Sequence, residues 1–573
     1  MKNILKLFIL SLVISLSSCE DFLDRAPLDT VSEAEFYKTT ADMRAAVNGF
    51  YSVISGWQPL GVGFNILPDS STDLGTSQSP SNRLLGVYDV ETSASNNVWS
   101  FDEVREINWF LDHIDQAEGD EMAINHYIGE GYFFRAFYYF NLLTRYGDVP
   151  IFETYFDNTD TDMVFKARDP RNEVANFIIS DLDTAISLLQ SFPNTPGAGP
   201  RINLEVAQLF KARVALYEGT WERYHNGTVY GVEGSDGSSF LQIAADAAEE
   251  VINGGVFSLH SDYETLFNKV GLSGNSEVML WRDYSVTESQ TNVLQISWPN
   301  RCGYTRAAVR SYLCTDGNPI SVSPLYQGDQ DFNTLETNRD PRLAMTLMTP
   351  GDLILDDSND ANDILWTNPD FTGANAGNTG YESQKYRNPV IDGSNDNDFS
   401  IVTSRIFMRY AEVLLIFAEA KAELGTITQA DLDKSINLLR ARVSMPGITL
   451  GAIATDPDWP NYGYTLNDIL YEIRRERSVE LMAEGFRAND FYRWRAHSLF
   501  DGDQPRGAYY NDPIVSSVLD SGSVILDNDG YILPFGSLGN YNFDESKAYL
   551  LSIPLDELQL NPNLTQNPGW PSQ

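Results

Sequence analysis

Three cysteines, five histidines and a surplus of carboxylates are the side chains with which this 573-residue chain could do chemistry. Cys302 and Cys314 are separated by "GYTRAAVRSYL" and do not form a C-x-x-C pair, so redox and zinc roles have no support. A disulfide needs that segment to bend back on itself, whereas a helix or strand there would keep the sulfurs apart. Two buried small hydrophobes is an equal alternative. His113, His126, His225, His260 and His497 share no spacing that would bring two onto one helix face, and all five read as packed or exposed residues. The sequence has no G-x-S-x-G elbow, no H-E-x-x-H and no G-x-x-x-x-G-K-[ST] loop. A glycosidase pair is defined by the separation of two carboxylates in space, and sequence alone does not give it. "DDSNDAND" from Asp356 and "DGSNDNDFS" from Asp392 offer oxygen ligands of the kind calcium takes. Both lack the EF-hand's central Gly and terminal Glu, so they read as solvated loops, and no cofactor is expected.

Aromatic rings carry more information. Trp57, Tyr88, Trp99, Trp281, Trp298, Tyr304 and Trp366 lie in or beside loop-like segments. Flat rings outside a helical core suit stacking on sugar faces, because binding pockets combine aromatics with a few convergent polar groups. Taken singly, each ring is more often a wedge that packs a loop against its frame.

Cys19 stands apart from the other two cysteines. It follows "SLVISLSS", with Lys2 and Lys6 ahead of an apolar run from Leu7 to Leu16. That run has the length of a signal-peptide core and is far shorter than the ~20 residues needed to span a bilayer. Leu16-Ser17-Ser18-Cys19 resembles a bacterial lipobox, so residues 1–18 read as a lipoprotein signal and Cys19 as the lipidated first residue. Two or more acyl chains hold a protein to a membrane stably, whereas one does not. The formal net charge of −41 argues against nucleic-acid binding and against docking on anionic lipid by charge.

The elements that would position these residues are mostly helices. In "RYAEVLLIFAEAKAELG", Tyr410, Val413, Leu414, Phe417 and Leu424 recur at helical spacing, and Gly425 marks a stop. "AINHYIGEGYFFRAFYYFNLLTRYGDVP", "NEVANFIISDLDTAISLL", "NLEVAQLFKARVALYEG", "FLQIAADAAEEVINGG" and "INLLRARV" read the same way. "LNDILYEIRRERSVELMAEGFRANDFYRW" reads as one long amphipathic stretch. Ala207, Ala212, Ala244 and Ala248 suit closely stacked helix pairs. Between about 276 and 404, and again from about 500 to 547, Gly, Asn, Asp, Ser and Pro dominate and predict loops, with "SEVMLWRDYS" a strand. Long loops inside a compact protein tend to be functional, which places the expected ligand surface there.

Several motifs in order resemble the SusD/RagB family of Bacteroidetes outer-membrane lipoproteins. They are "SCEDFLDRAPLDTVSEAEFY", "WSFDEVREINWFLDHID", "GEGYFFRAFYYFNLLTRYGDVP", "FMRYAEVLLIFAEAKAELG", "INLLRARV", "ERSVELMAEGFRANDFYRW" and "YLLSIPLDELQLNPNLTQNPGW". The resemblance implies a mainly α fold, a tetratricopeptide-like scaffold of helix pairs with a loop-rich irregular region packed on it. It implies one domain over 19–573, with the scaffold at about 30–270 and 405–500. Arg135, Tyr410, Glu412, Glu480, Gly485 and Arg487 would then hold helices together or fix their ends. The implied role is a non-catalytic, surface-exposed binding protein of the outer membrane. It would capture glycans and deliver them to a SusC-like TonB-dependent transporter. Peptide capture of the RagB kind is the alternative, and a lipid-anchored glycosidase a weaker one. Ligand contacts in the family come from variable loops, matched here by "WQPLGVGFNILPDSSTDLG" and "SWPNRCGYTR". The residues expected to touch ligand are Trp298 and Tyr304 by stacking, Asp69, Asp73, Asn300 and Arg301 by hydrogen bonds, and Trp57 behind them.

Overall fold

A computed structural model describes residues 37–54, 56–57, 69–77, 79–94, 99–197, 199–285, 287, 303–356, 363–372, 376–389, 402–500 and 502–572. Its frame follows from small residues and caps. Helix α1 (Thr40–Phe50) opens on a capping box, in which Thr39 and Asp42 satisfy each other's backbone N–H. Helices α2 (Asp102–Leu111) and α3 (Glu121–Tyr146) pack together. Gly131 allows that approach, since a Cβ there would sit 2.6 Å from Phe110. Asp120 caps α3, and Gly147, with φ 73°, ends it.

Helices α4 (Arg171–Leu188), α5 (Leu204–Tyr224) and α6 (Ser238–Gly254) extend the stack, each against its predecessor. Ala207, Ala212, Ala244 and Ala248 are fully buried, as the helix-pair reading expects. At the α5–α6 contact a Cβ on Gly219 would lie 2.8 Å from the Leu241 backbone nitrogen. The chain then leaves the stack and returns as α8 (Tyr410–Glu423), which packs on α6 and on α10 (Asp468–Glu480). Between them lies α9 (Ile436–Arg442).

The excursion starts and finishes side by side. Strand β2 (Val278–Arg282) pairs antiparallel with β6 (Arg405–Arg409). Two further ladders are β1 (Gly75–Thr76) with β3 (Gly303–Tyr304), and β4 (Leu353–Leu355) with β5 (Ile364–Leu365). Short helix α7 (Arg306–Ser311) follows β3. Trp57, Trp281, Tyr304, Tyr312, Trp366 and Tyr381 share a second hydrophobic core there, distinct from that of the helices.

One difference from the sequence reading matters for the site. The stretch from Leu466 to Trp494 is not one helix. It breaks after Glu480, where Ala483 (φ 62°) and Gly485 (φ 91°) turn the chain into α11 (Arg487–Arg493). Charge placement explains the break, because Glu480, Glu484 and Arg487 all turn toward the loop-rich side. Glu480 accepts from Arg342, Arg409 and Arg442 at 2.9, 2.7 and 2.6 Å. Glu484 accepts from Arg409 and Lys385. Arg342 and Lys385 belong to the loop-rich region, so buried ion pairs join the two cores. Elsewhere Arg135 pairs with Asp181 at 2.7 Å and bonds Asn108, and Glu412 pairs with Arg213 at 2.6 Å. Among the described residues no helix is long and apolar enough to cross a membrane.

Candidate functional site

The segment "DSSTDLG" is held in a tight turn before β1. Thr72 Oγ1 donates to the Asp69 carbonyl at 2.7 Å. Asp69 Oδ1 accepts the Arg487 N–H at 3.0 Å, at the start of α11. Burial pushes the Asp69 carboxyl up to about 6, offset in part by bonds from the Arg487 and Gly485 N–H groups. Asp73 receives Arg487 Nε and Nη2 at 2.8 and 2.7 Å, the two-pronged geometry that suits a guanidinium and a carboxylate. Thr305 ties β3 to the same turn through Asp73 O and Leu74 O, and its hydroxyl caps α7.

This arrangement forms one wall of a cavity of about 350 Å³ at the seam between helices and loops. Arg306 and Arg310 of α7 reach its rim. Arg306 pairs with Asp329 at 2.7 Å and lies 3.7 Å over the Tyr531 ring. Arg310 pairs with Asp458 at 3.0 Å. Across the cavity Asp456 accepts from Arg475 and from Ser321, each at 2.5 Å. Burial would raise the Asp456 carboxyl, but those bonds hold it below its usual value. Tyr471 lines the cavity and stacks on Trp459 with ring centroids 4.7 Å apart and planes 14° from parallel. Tyr462 continues the ladder 6.0 Å beyond Tyr471, and Phe500 and Tyr541 close the far side. Apolar rings beside fixed donors and acceptors can stack on a flat ligand face and bond its hydroxyls.

The expected ligand residues separate. Asp73 lines the cavity. Tyr304 does not offer its ring: it is 2% exposed, packed in the second core, with its hydroxyl 2.8 Å from Ser383 Oγ. This side chain turns inward, and the adjacent Thr305 and Arg306 line the cavity instead. Trp57 is also buried, edge-on to Tyr386 and beneath Arg405. Asp69 is 3% exposed and is consumed in holding α11. Trp298, Asn300 and Arg301 lie outside the described residues, as do Cys19 and Cys302. Cys314 is buried.

Trp99, Trp281 and Trp366 are packing residues: Trp99 meets Tyr146, and the indoles of Trp281 and Trp366 donate to Asp283 and Glu382. Sequence reasoning missed Trp459, Tyr462 and Tyr471. Their signal was "DPDWPNYGYTLNDILY", which sets four aromatics on a loop entering a helix. The two calcium-like stretches lie almost wholly outside the described residues. Among the described residues no three metal-binding side chains converge. His126 and His225 are core residues, and burial pushes His225 down to about 3.

A stack of helix pairs carrying a loop-rich cap, with a polar–aromatic cavity at the seam, defines a helical-repeat protein with a cleft between scaffold and cap. Comparison with known proteins makes this specific. Residues 264–570 match the SusD family, and residues 21–216 match a family described as starch-binding associating with outer membrane. The chain belongs to the SusD family. SusD-like protein P2 of Formosa agariphila is 26% identical over 99% of both chains. A SusD-like carbohydrate-binding protein from Bacteroides fragilis superposes with a TM-score of 0.73 at 21% identity, covering 92% of this chain and all of that one. A laminarin-binding SusD-like protein superposes at 0.58 with 19% identity, over 93% of this chain and all of that one.

Proposed function

We propose that this protein is a lipid-anchored, surface-exposed glycan receptor. It captures oligo- or polysaccharide and delivers it to a SusC-like TonB-dependent outer-membrane transporter without chemical change. The observation that carries this reading is the seam cavity, where Tyr471, stacked on Trp459, lines the wall together with paired Arg and Asp groups. Family membership supports it, as do relatives whose names specify carbohydrate and laminarin binding. Residues 1–18 act as the signal, Cys19 as the anchor, and 19–573 as one domain. Ligand is held by Asp73 and the rings of the cavity, with Trp298, Asn300 and Arg301 contributing from the segment before β3.

A carbohydrate array with product analysis tests the proposal. Retention of a glycan that is released unaltered supports it. Silence on glycans with retention of peptides selects the peptide-capture reading, and shortened glycans select the glycosidase. Cys19→Ala is expected to release the protein from the outer-membrane fraction, and its continued presence there would refute the anchor.

A further inference from the structure

Five guanidinium groups line the seam cavity, those of Arg306, Arg310, Arg475, Arg487 and Arg506, and among the described residues no lysine or histidine joins them. In a chain with 39 Lys and Arg against 80 Asp and Glu, such a concentration by itself would suit an anion. The pairing of these groups removes that attraction. Arg487 is clamped by Asp73, and Arg475 by Asp456 and, at 3.3 Å, by Glu472. Arg306 bonds Asp329, which also lies 3.7 Å from Arg310. At the rim Arg310 meets Asp458 at 3.0 Å, and Arg506 meets Asp503 at 2.9 Å and Asp527 at 2.8 Å. Five cations thus stand against seven carboxylates, and no positive charge is left over.

Two of the seven differ from the rest. Asp458 and Asp503 are more than half exposed, whereas the side chains of the other five are at most 13% exposed. The buried carboxylates hold the cavity walls, as Asp73 does for the start of α11. Exposed ion pairs contribute little to stability, so the two rim acids are not needed for the fold. Their effect is on an incoming charge. Each occupies N–H donors that a ligand carboxylate or sulfate would otherwise take. Each also repels such a group, and like charges a few ångströms apart near a protein surface change affinity by about tenfold or more.

A sugar hydroxyl meets no such penalty, since it can accept from a guanidinium and donate to a carboxylate. The rings of Tyr471 and Phe500, with Leu74 and Ile320, add an apolar face for an uncharged pyranose. A cationic sugar is served no better, because every one of these carboxylates already holds a guanidinium. Specificity often comes from features that penalise the wrong ligand rather than reward the right one. Given the glycan-receptor reading of this cavity, on which this inference rests, we propose that Asp458 and Asp503 are specificity-determining residues. They cap Arg310 and Arg506, so that the seam cavity takes uncharged glycans and turns away those bearing carboxylate or sulfate.

The test is calorimetric titration of the purified chain, wild type against the double variant Asp458→Asn/Asp503→Asn. The probes are matched pairs: laminarin, cello-oligosaccharide and xylo-oligosaccharide, each beside its sulfated derivative, and oligogalacturonate beside its methyl ester. Asn keeps the size and a carbonyl oxygen and removes only the charge, and melting curves check that the fold is retained. Wild type is expected to bind at least one uncharged probe, and to bind its charged partner at least tenfold more weakly. In the double variant that ratio is expected to shift tenfold or more toward the charged partner, with each single variant giving part of the shift. The gain is expected to shrink as salt rises, because the freed guanidinium groups are exposed. A charged probe that binds wild type as tightly as its uncharged partner, or a ratio that the double variant does not move, overturns this filter and leaves the receptor reading in place. Failure of every probe to bind either protein removes the receptor reading itself, and the filter with it.

Discussion

The inner and outer stretches of the seam use the same side chains to different ends. Inside, Glu480 is fully buried among Arg342, Arg409 and Arg442, and every oxygen is engaged. Burial alone would raise that carboxyl, yet the three guanidinium groups hold it far below the usual carboxylate range. Outside, Arg310 is 30% exposed and its partner Asp458 is 56% exposed, both at the cavity rim. A buried pair cannot lose one member without stranding the other. An exposed pair exchanges partners with water at little cost. Depth therefore decides which Arg–carboxylate pairs lock the loops to the scaffold and which are free to bond a ligand.

Breaking the inner stretch has the largest expected effect. Glu480→Ala removes the carboxylate that Arg342, Arg409 and Arg442 share and leaves them crowded on Asp340, Glu476, Glu277 and Glu484, and is expected to cost about 3–5 kcal/mol in chemical denaturation. A loss under about 1 kcal/mol would erase the contrast. Asp69→Asn comes next and depends on pH. The native carboxyl holds its proton to about pH 6, whereas the unfolded one releases it near 4. Wild-type stability from this group is thus complete below about pH 4 and is lost as pH rises through about 6. Asn keeps an acceptor for the Arg487 N–H and carries no charge. Relative to wild type it should therefore gain up to about 3 kcal/mol between pH 4 and pH 7. Melting curves at the two pH values check this, and a flat difference would refute it. Tyr471→Ala is expected to weaken glycan binding about tenfold, or about 1.4 kcal/mol, in calorimetric titration. Asp458→Asn is the smallest, under about 1 kcal/mol in stability, with a measurable change in affinity if the rim contacts ligand.

The scaffold was legible because helical spacing and small residues report packing directly. Tyr410, Val413, Leu414 and Phe417 are buried on α8, and Ala207 and Ala244 are buried on α5 and α6. The break after Glu480 was not legible. "ERSVELMAEGFRAND" keeps an amphipathic pattern around Gly485, its one local sign of a turn, and the charge pairing of Glu480 with Arg342 and Arg409 is tertiary. The turn carrying Asp73 and the stretch carrying Tyr304 both reach the cavity region, but a loop-like sequence does not reveal which way a ring faces. Trp57 and Tyr304 turned inward, and the cavity's rings came from Tyr462 and Tyr471, the latter stacked on Trp459, all far along the chain.

The most direct test of the central claim is titration of a glycan panel into wild type and Tyr471→Ala, with the recovered glycan analysed for cleavage. Saturable binding of at least one glycan, recovered intact and weakened about tenfold by the substitution, is the result expected of a receptor that uses the seam cavity. Absence of glycan binding, release of shortened products, or an affinity indifferent to Tyr471 would contradict it.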